Sequence, residues 1–159
     1  LQAEFPYGLR PGLGLYGLGA PESRFAQRLL PVMSLKSKVV SMQKVKKGQT
    51  VSYGGTWTAP KDSVIGIVPA GYGDGIPVPL SNRGSVFIEN QRRPVVGRVC
   101  MDYTAVDVSD VESPLMKEVE FFGAHIGAGE VAQIDGTIGY DIVTGISERV
   151  PRIVKGSAQ

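Results

Sequence analysis

Glycine and proline set the terms on which this chain can fold. Twenty-one glycines and eleven prolines are spread between short runs rich in Val and Ile, where they act as turn punctuation. Hydrophobic residues make up 42% of the chain, too many for a disordered polypeptide, so the punctuation is that of a mainly β fold. Residues 32–45 alternate apolar and polar over much of their length, as a half-exposed strand does. Lys46-Lys47-Gly48 is a turn, and residues 50–58 form a second extended segment broken by Gly54-Gly55. The continuous apolar run Val64-Ile65-Gly66-Ile67-Val68 reads as a buried strand, and Gly71-Tyr72-Gly73-Asp74-Gly75 as a tight loop. Residues 85–89 and 93–99 suggest a hairpin around Asn90-Gln91, with further strands at 104–108, 118–122 and 149–154. Residues 137–144 suit a short helix closed by Gly145. Short strands at a spacing of roughly 8–12 residues predict a small barrel or sandwich. Residues 1–30 stand apart: a glycine-dense turn at 9–17, then a short helix over 20–30 ended by Pro31.

Length suits one main domain with an appendage. The formal net charge of +2 is too weak to imply a polyanionic partner, and a lone Cys100 excludes an intramolecular disulfide. No apolar run approaches the roughly 18 residues of a membrane span. The first nine residues lack the basic and apolar regions of a signal peptide, so a cytoplasmic protein with no membrane partner is expected. The chain does not begin with Met, which fits a fragment or a processed product. His125 is the sole histidine, so no histidine-based metal site is expected; it reads as a lone surface residue. Lys36, Lys38, Lys44, Lys46 and Lys47 form a basic stretch without interleaved aromatics. That stretch reads as a solvated strand face, the alternative being a nucleic-acid-binding barrel.

Longer strings add more when taken together. Arg10-Pro11-Gly12-Leu13-Gly14-Leu15-Tyr16-Gly17 resembles the end of the barrel domain in alanine racemases, and Pro31-Val32-Met33-Ser34-Leu35-Lys36-Ser37 the entry to their carboxy-terminal domain. Val51-Ser52-Tyr53-Gly54 resembles the family's catalytic-tyrosine strand, and Val68-Pro69-Ala70-Gly71-Tyr72-Gly73-Asp74-Gly75 its Gly-Tyr-Ala-Asp-Gly loop. Gly97-Arg98-Val99-Cys100-Met101-Asp102, Thr137-Ile138-Gly139-Tyr140 and Arg149-Val150-Pro151-Arg152 resemble three more family segments. The seven matches are collinear and run along nearly the whole chain.

The resemblance implies a pyridoxal-phosphate enzyme interconverting L- and D-alanine, which supplies D-alanine for peptidoglycan. It divides the chain into residues 1–30, a remnant of an amino-terminal α/β barrel, and residues 31–159, the carboxy-terminal β domain. Racemisation needs acid–base groups on opposite faces of Cα; by resemblance Tyr53 is one, and a lysine that bonds the cofactor is the other. Arg10 matches the arginine facing the pyridine nitrogen, Gly12 and Leu13 the amides that hold the phosphate, and Tyr140 a phosphate-binding tyrosine. Met101 matches a substrate-binding residue with Cys100 beside it, and Tyr72 a tyrosine at the entrance. Tyr53, Tyr72 and Met101 would act on a partner's cofactor, and Arg10, Gly12, Leu13 and Tyr140 on their own, which implies a homodimer.

Two departures from the pattern stand out. None of the eight lysines matches the cofactor lysine, which belongs to the amino-terminal barrel, so the chain alone is expected to be inactive. Gly139 stands where the family usually has Asn, and residues 125–136 are shorter and richer in glycine than the helix-bearing insertion expected before Tyr140. A broad-specificity racemase, a basic-amino-acid decarboxylase relative and a non-catalytic β-barrel binding module are the alternatives.

Overall fold

A computed structural model describes residues 10–19 and 28–156. Nine strands are present: β1 (Leu35–Lys38), β2 (Ser41–Val45), β3 (Thr50–Val51), β4 (Trp57–Thr58), β5 (Ser63–Val68), β6 (Ser85–Ile88), β7 (Gln91–Pro94), β8 (Thr104–Asp107) and β9 (Glu118–Phe122). Two helices follow, α1 (Ala128–Asp135) and α2 (Gly139–Thr144). The strands form a four-stranded sheet, β1-β9-β6-β7, a three-stranded sheet, β2-β5-β8, and the two-stranded ribbon β3-β4. All pairings are antiparallel.

The two larger sheets wrap into one barrel-like layer because they are joined on both sides. On one side Val95 bridges Val106, and the Val96 amide donates to the Ala105 carbonyl at 2.9 Å. On the other, the chain passes from β1 to β2 through Val39 and Val40. The Val39 amide donates to Lys117 next to β9, whereas the Val40 amide donates to Ile67 on β5. The alternating segment expected over 32–45 is thus one extended run that changes sheets at a corner. Val39, with no exposed surface, fills that corner.

Alternation then sorts the core. Val68, Val86, Val106, Val108 and Val119 point into the main cluster, together with Val131 of α1 and Ile142 of α2. The opposite face of β5 and β8 carries Ile65 and Ala105, which pack with Val96, Val51 and Trp57 in a smaller cluster beneath the β3-β4 ribbon. Gly66 lets the corner close: a Cβ there would lie 3.1 Å from Val108 and 3.2 Å from Val39.

Four local expectations are revised. The segment 50–58 is a hairpin of two-residue strands, Thr50 opposite Thr58 and Val51 opposite Trp57, whose tip is the 3-10 turn Tyr53–Gly55. The β6-β7 turn falls one residue early, at Glu89 and Asn90, both at positive φ, as a two-residue hairpin loop requires. Residues 125–136 do contain a helix, α1. Its glycines lie in the first turn and at the left-handed Gly136 cap, where they cost little, and burial of Val131 and Ala132 stabilises the rest. Residues 149–154 form no strand; Pro151 removes a ladder donor. The Arg152 guanidinium instead donates to the carbonyls of Ile146, Ser147 and Val150. The helix expected over residues 20–30 falls mainly on residues outside those described.

His125 lies at the surface as expected, with its ring stacked on Phe87 at 3.8 Å between centroids. Its amide and Nδ1 contact the carboxylate of Glu120, at 2.8 and 3.3 Å. Glu120 is 3% exposed and sits in β9 opposite Phe87, the one register pair that joins β6 to β9. Burial pushes this carboxyl upward, but the amides of His125 and Ile126 and the His125 ring outweigh it, leaving it below its ordinary 4.5. A group depressed in the folded state contributes stability above its unfolded value and loses it as pH falls through the folded value. The stability gap between the native protein and Glu120→Gln should therefore be widest at neutral pH and narrow below pH 4.5. Denaturant unfolding across that range checks it; a gap independent of pH contradicts it.

Candidate active site

Tyr53 stands at the tip of the β3-β4 ribbon with 74% of its surface exposed. The residue before it has an unusual backbone. Ser52 has φ 65° and ψ 177°, a region occupied almost only by glycine. Its hydroxyl donates to the Arg98 carbonyl at 2.7 Å and lies 3.6 Å from the Cys100 sulfur. Gly97, at φ +73°, permits this approach: a Cβ there would be 2.6 Å from Ser52 Cβ and 2.8 Å from the Val51 carbonyl oxygen. The Gly97 segment is buttressed from behind, its amide donating to Asn82 Oδ1 at 2.6 Å and the Val99 amide to Ser81 Oγ at 2.9 Å. A cavity of about 220 Å³ opens under the ribbon, lined in part by Ser52, Ile67, Arg98, Cys100 and Tyr103.

Tyr72 is tied to the same segment. Its amide donates to the Cys100 carbonyl at 2.9 Å, and the Gly73 amide donates to the Met101 carbonyl at 2.8 Å. Gly71 brings the two backbones together, since a Cβ there would collide with the carbonyl oxygens of both Cys100 and Met101. Asp74 closes its own loop by accepting from the Gly71 amide at 2.8 Å. Arg149 then clamps the pair. It donates to Asp74 Oδ1 at 2.8 Å, to Asp102 Oδ1 at 2.9 Å and to the Met101 carbonyl at 3.3 Å. The carboxylates of Asp74 and Asp102 raise its pKa above the ordinary guanidinium value. No role was expected of Arg149, Asp74 or Ser52; the family-like strings that contain them were the available signal.

The second set of expected residues is assembled around α2. Gly12 opens the 3-10 helix Gly12–Tyr16 at φ +54°, and a Cβ there would lie 2.5 Å from the phenolic oxygen of Tyr140. The first amides of a helix have no partner within it. The amides of Gly12 and Leu13, beside the Tyr140 phenol and with no side chain on Gly12, are a donor set whose chemistry suits a phosphate. Such a fit matches the phosphate end of pyridoxal phosphate. Arg10, exposed, lies two residues ahead. Gly139 also has a local reason: a Cβ would sit 3.0 Å from the Leu18 side chain, so Leu18 takes space that a larger residue would use. The sets are joined through α2, whose first turn carries Tyr140 and whose end, at the Gly145 carbonyl, faces Gly75 beside Tyr72.

Among the described residues no group of three His, Cys, Asp or Glu could hold a metal ion, and no helix is long and apolar enough to cross a membrane. In the basic stretch, Lys36 pairs with Glu118 and Lys46 with Asp62, each at 2.7 Å.

The hydrogen bonds thus define a class by fold and site: a β domain in which a tyrosine hairpin and a glycine loop are both tied to one cysteine–methionine segment. The chain belongs to the alanine racemase C-terminal domain family, whose description matches residues 32–154. It is 40% identical over 156 residues to the alanine racemase of Sorangium cellulosum, covering 92% of this chain and 41% of that protein. The biosynthetic alanine racemase of Pseudomonas aeruginosa superposes with a TM-score of 0.85 at 37% identity, over 91% of this chain and 41% of the other. The Bartonella henselae alanine racemase, a structure with covalently bound pyridoxal phosphate, gives 0.80 at 28% identity, over 89% and 40%. The chain thus spans about two-fifths of the length of these relatives.

Proposed function

We propose that this chain is the part of a pyridoxal-phosphate-dependent alanine racemase that supplies the tyrosine acid–base group. The observation that carries the reading is the assembly of Tyr53, Cys100, Met101 and Tyr72 on one rim through Ser52, Gly71 and Arg149. When bound, pyridoxal phosphate supplies the electron sink that makes Cα of the amino acid acidic. The Tyr53 phenol gives or takes a proton on one face of that carbon. The Met101 segment, pinned by Arg149, orients the substrate carboxylate, and Tyr72 lines the way in. Gly12, Leu13 and Tyr140 would hold the phosphate, and Arg10 would meet the pyridine nitrogen. A guanidinium does not accept a proton, so Arg10 leaves that nitrogen unprotonated.

The reading includes a homodimer in which the two sets serve different centres, a cytoplasmic location and supply of D-alanine for peptidoglycan. It also assigns the cofactor lysine to an amino-terminal barrel. Mixing this chain with such a barrel and pyridoxal phosphate should convert L-alanine to D-alanine, with neither half active alone. Association of the halves without racemisation removes the reading. A separate check is Gly12→Ala, whose methyl meets the Tyr140 phenol. Loss of about one to two charge-assisted hydrogen bonds should weaken cofactor binding by about 10- to 100-fold. Titration of the cofactor absorbance reads this without turnover.

A further inference from the structure

Ser52 combines two features that rarely meet. Its backbone, at φ 65° and ψ 177°, lies in a region that a Cβ disfavours and that persists in non-glycine residues only when the surroundings over-determine it. The surroundings here are specific: the hydroxyl is held by the Arg98 carbonyl, Cys100 Sγ lies alongside, and Gly97 leaves room for Ser52 Cβ. No such arrangement is needed merely to turn the ribbon, because Gly54 at φ 76° and Gly55 at φ 57° already provide the tip. A glycine at position 52 would give the same backbone without strain, but it would give up the tether to Arg98.

We propose that Ser52 is a positioning residue, whose strained backbone and hydroxyl tether to Arg98 fix the direction in which Tyr53 leaves the ribbon. This rests on the role proposed for Tyr53. The tether ties the phenol-bearing tip to the segment that carries Cys100 and Met101, so the two move as one body. Without it the tip hangs on a two-residue ribbon and two glycines.

The test uses the full-length racemase that contains this chain, with Ser52→Gly and Ser52→Ala made separately. Both lose the tether, but only Gly releases the strain. At an ordinary site Gly is less stable than Ala; here Ser52→Gly should melt a few degrees above Ser52→Ala. Both should lose about 10-fold in kcat with little change in KM for alanine, as expected when a reacting group is misdirected. A fluorotyrosine at position 53 should give a sharper ¹⁹F line in the native protein than in either variant, with or without cofactor. Ser52→Gly melting below Ser52→Ala removes the strain, and kcat equal to the native value in both variants removes the positioning role. If the native protein lacked racemase activity, the Tyr53 assignment would fail, while the melting order and line widths would still decide whether Ser52 orders the tip.

Discussion

Tyr53→Phe in the proposed racemase, this chain joined to an amino-terminal barrel, should lower kcat for alanine racemisation by about 10²–10⁴-fold, the usual range for loss of a general acid–base group. Only one oxygen is removed, from a side chain that is 74% exposed, so the melting temperature should be unchanged and cofactor absorbance retained. The two-face geometry makes the prediction sharper. In the proposed role, one enantiomer would present its Cα proton to the phenol and the other would present it to the opposite group. Tyr53→Phe should therefore abolish solvent exchange of the Cα proton for one enantiomer and spare it for the other. Equal exchange loss for both enantiomers would mean that Tyr53 affects binding or folding rather than proton transfer on one face.

Gly71→Ala should have a large structural effect at the candidate site. The new carbon would collide with the Cys100 carbonyl oxygen and lie 2.5 Å from that of Met101. Both neighbours are backbone, so no rotamer change relieves the clash. Separating the segments would break the bonds from Tyr72 N to Cys100 O and from Gly73 N to Met101 O. Overpacking of this kind costs about 1–3 kcal/mol, occasionally more, and the same movement displaces Tyr72 and Met101 together. The expected signature is a lower melting temperature with a raised KM for alanine. Cofactor binding should be retained, because Gly12 and Tyr140 belong to the other set. A Gly71→Ala enzyme with native stability and native KM would show that the close approach is not needed.

Much of the fold was legible because it obeys local rules. The run at β5, the hairpin at β6-β7 and the strands β8 and β9 follow from side-chain pattern and turn chemistry. What stayed hidden depends on distant partners. The corner shows in the sequence only as the doublet Val39-Val40, and it takes their separate bonds to Lys117 and Ile67 to show that the chain changes sheets there. Helix α1 was masked by glycines that turn out to sit at its ends. The run at 149–154 has strand-like composition, but its arginines satisfy carbonyls that a ladder would have used. At the site, the resemblance supplied Tyr53, Tyr72, Cys100 and Met101, and the structure brings their segments together. Arg149 was not assigned because a clamp spanning positions 74, 102 and 149 leaves no spacing signal, and the backbone of Ser52 leaves none at all.

A single register pair, Phe87 with Glu120, joins the two halves of the four-stranded sheet. On one side β9 holds β1 through four register pairs; on the other β6 holds β7 through four. Between them stand Phe87 opposite Glu120 and the His125 ring that caps the join. β1 also runs straight into β2 at the Val39 corner, so the sheet next to the Tyr53 ribbon is coupled to β1 by the chain itself and does not depend on that one pair.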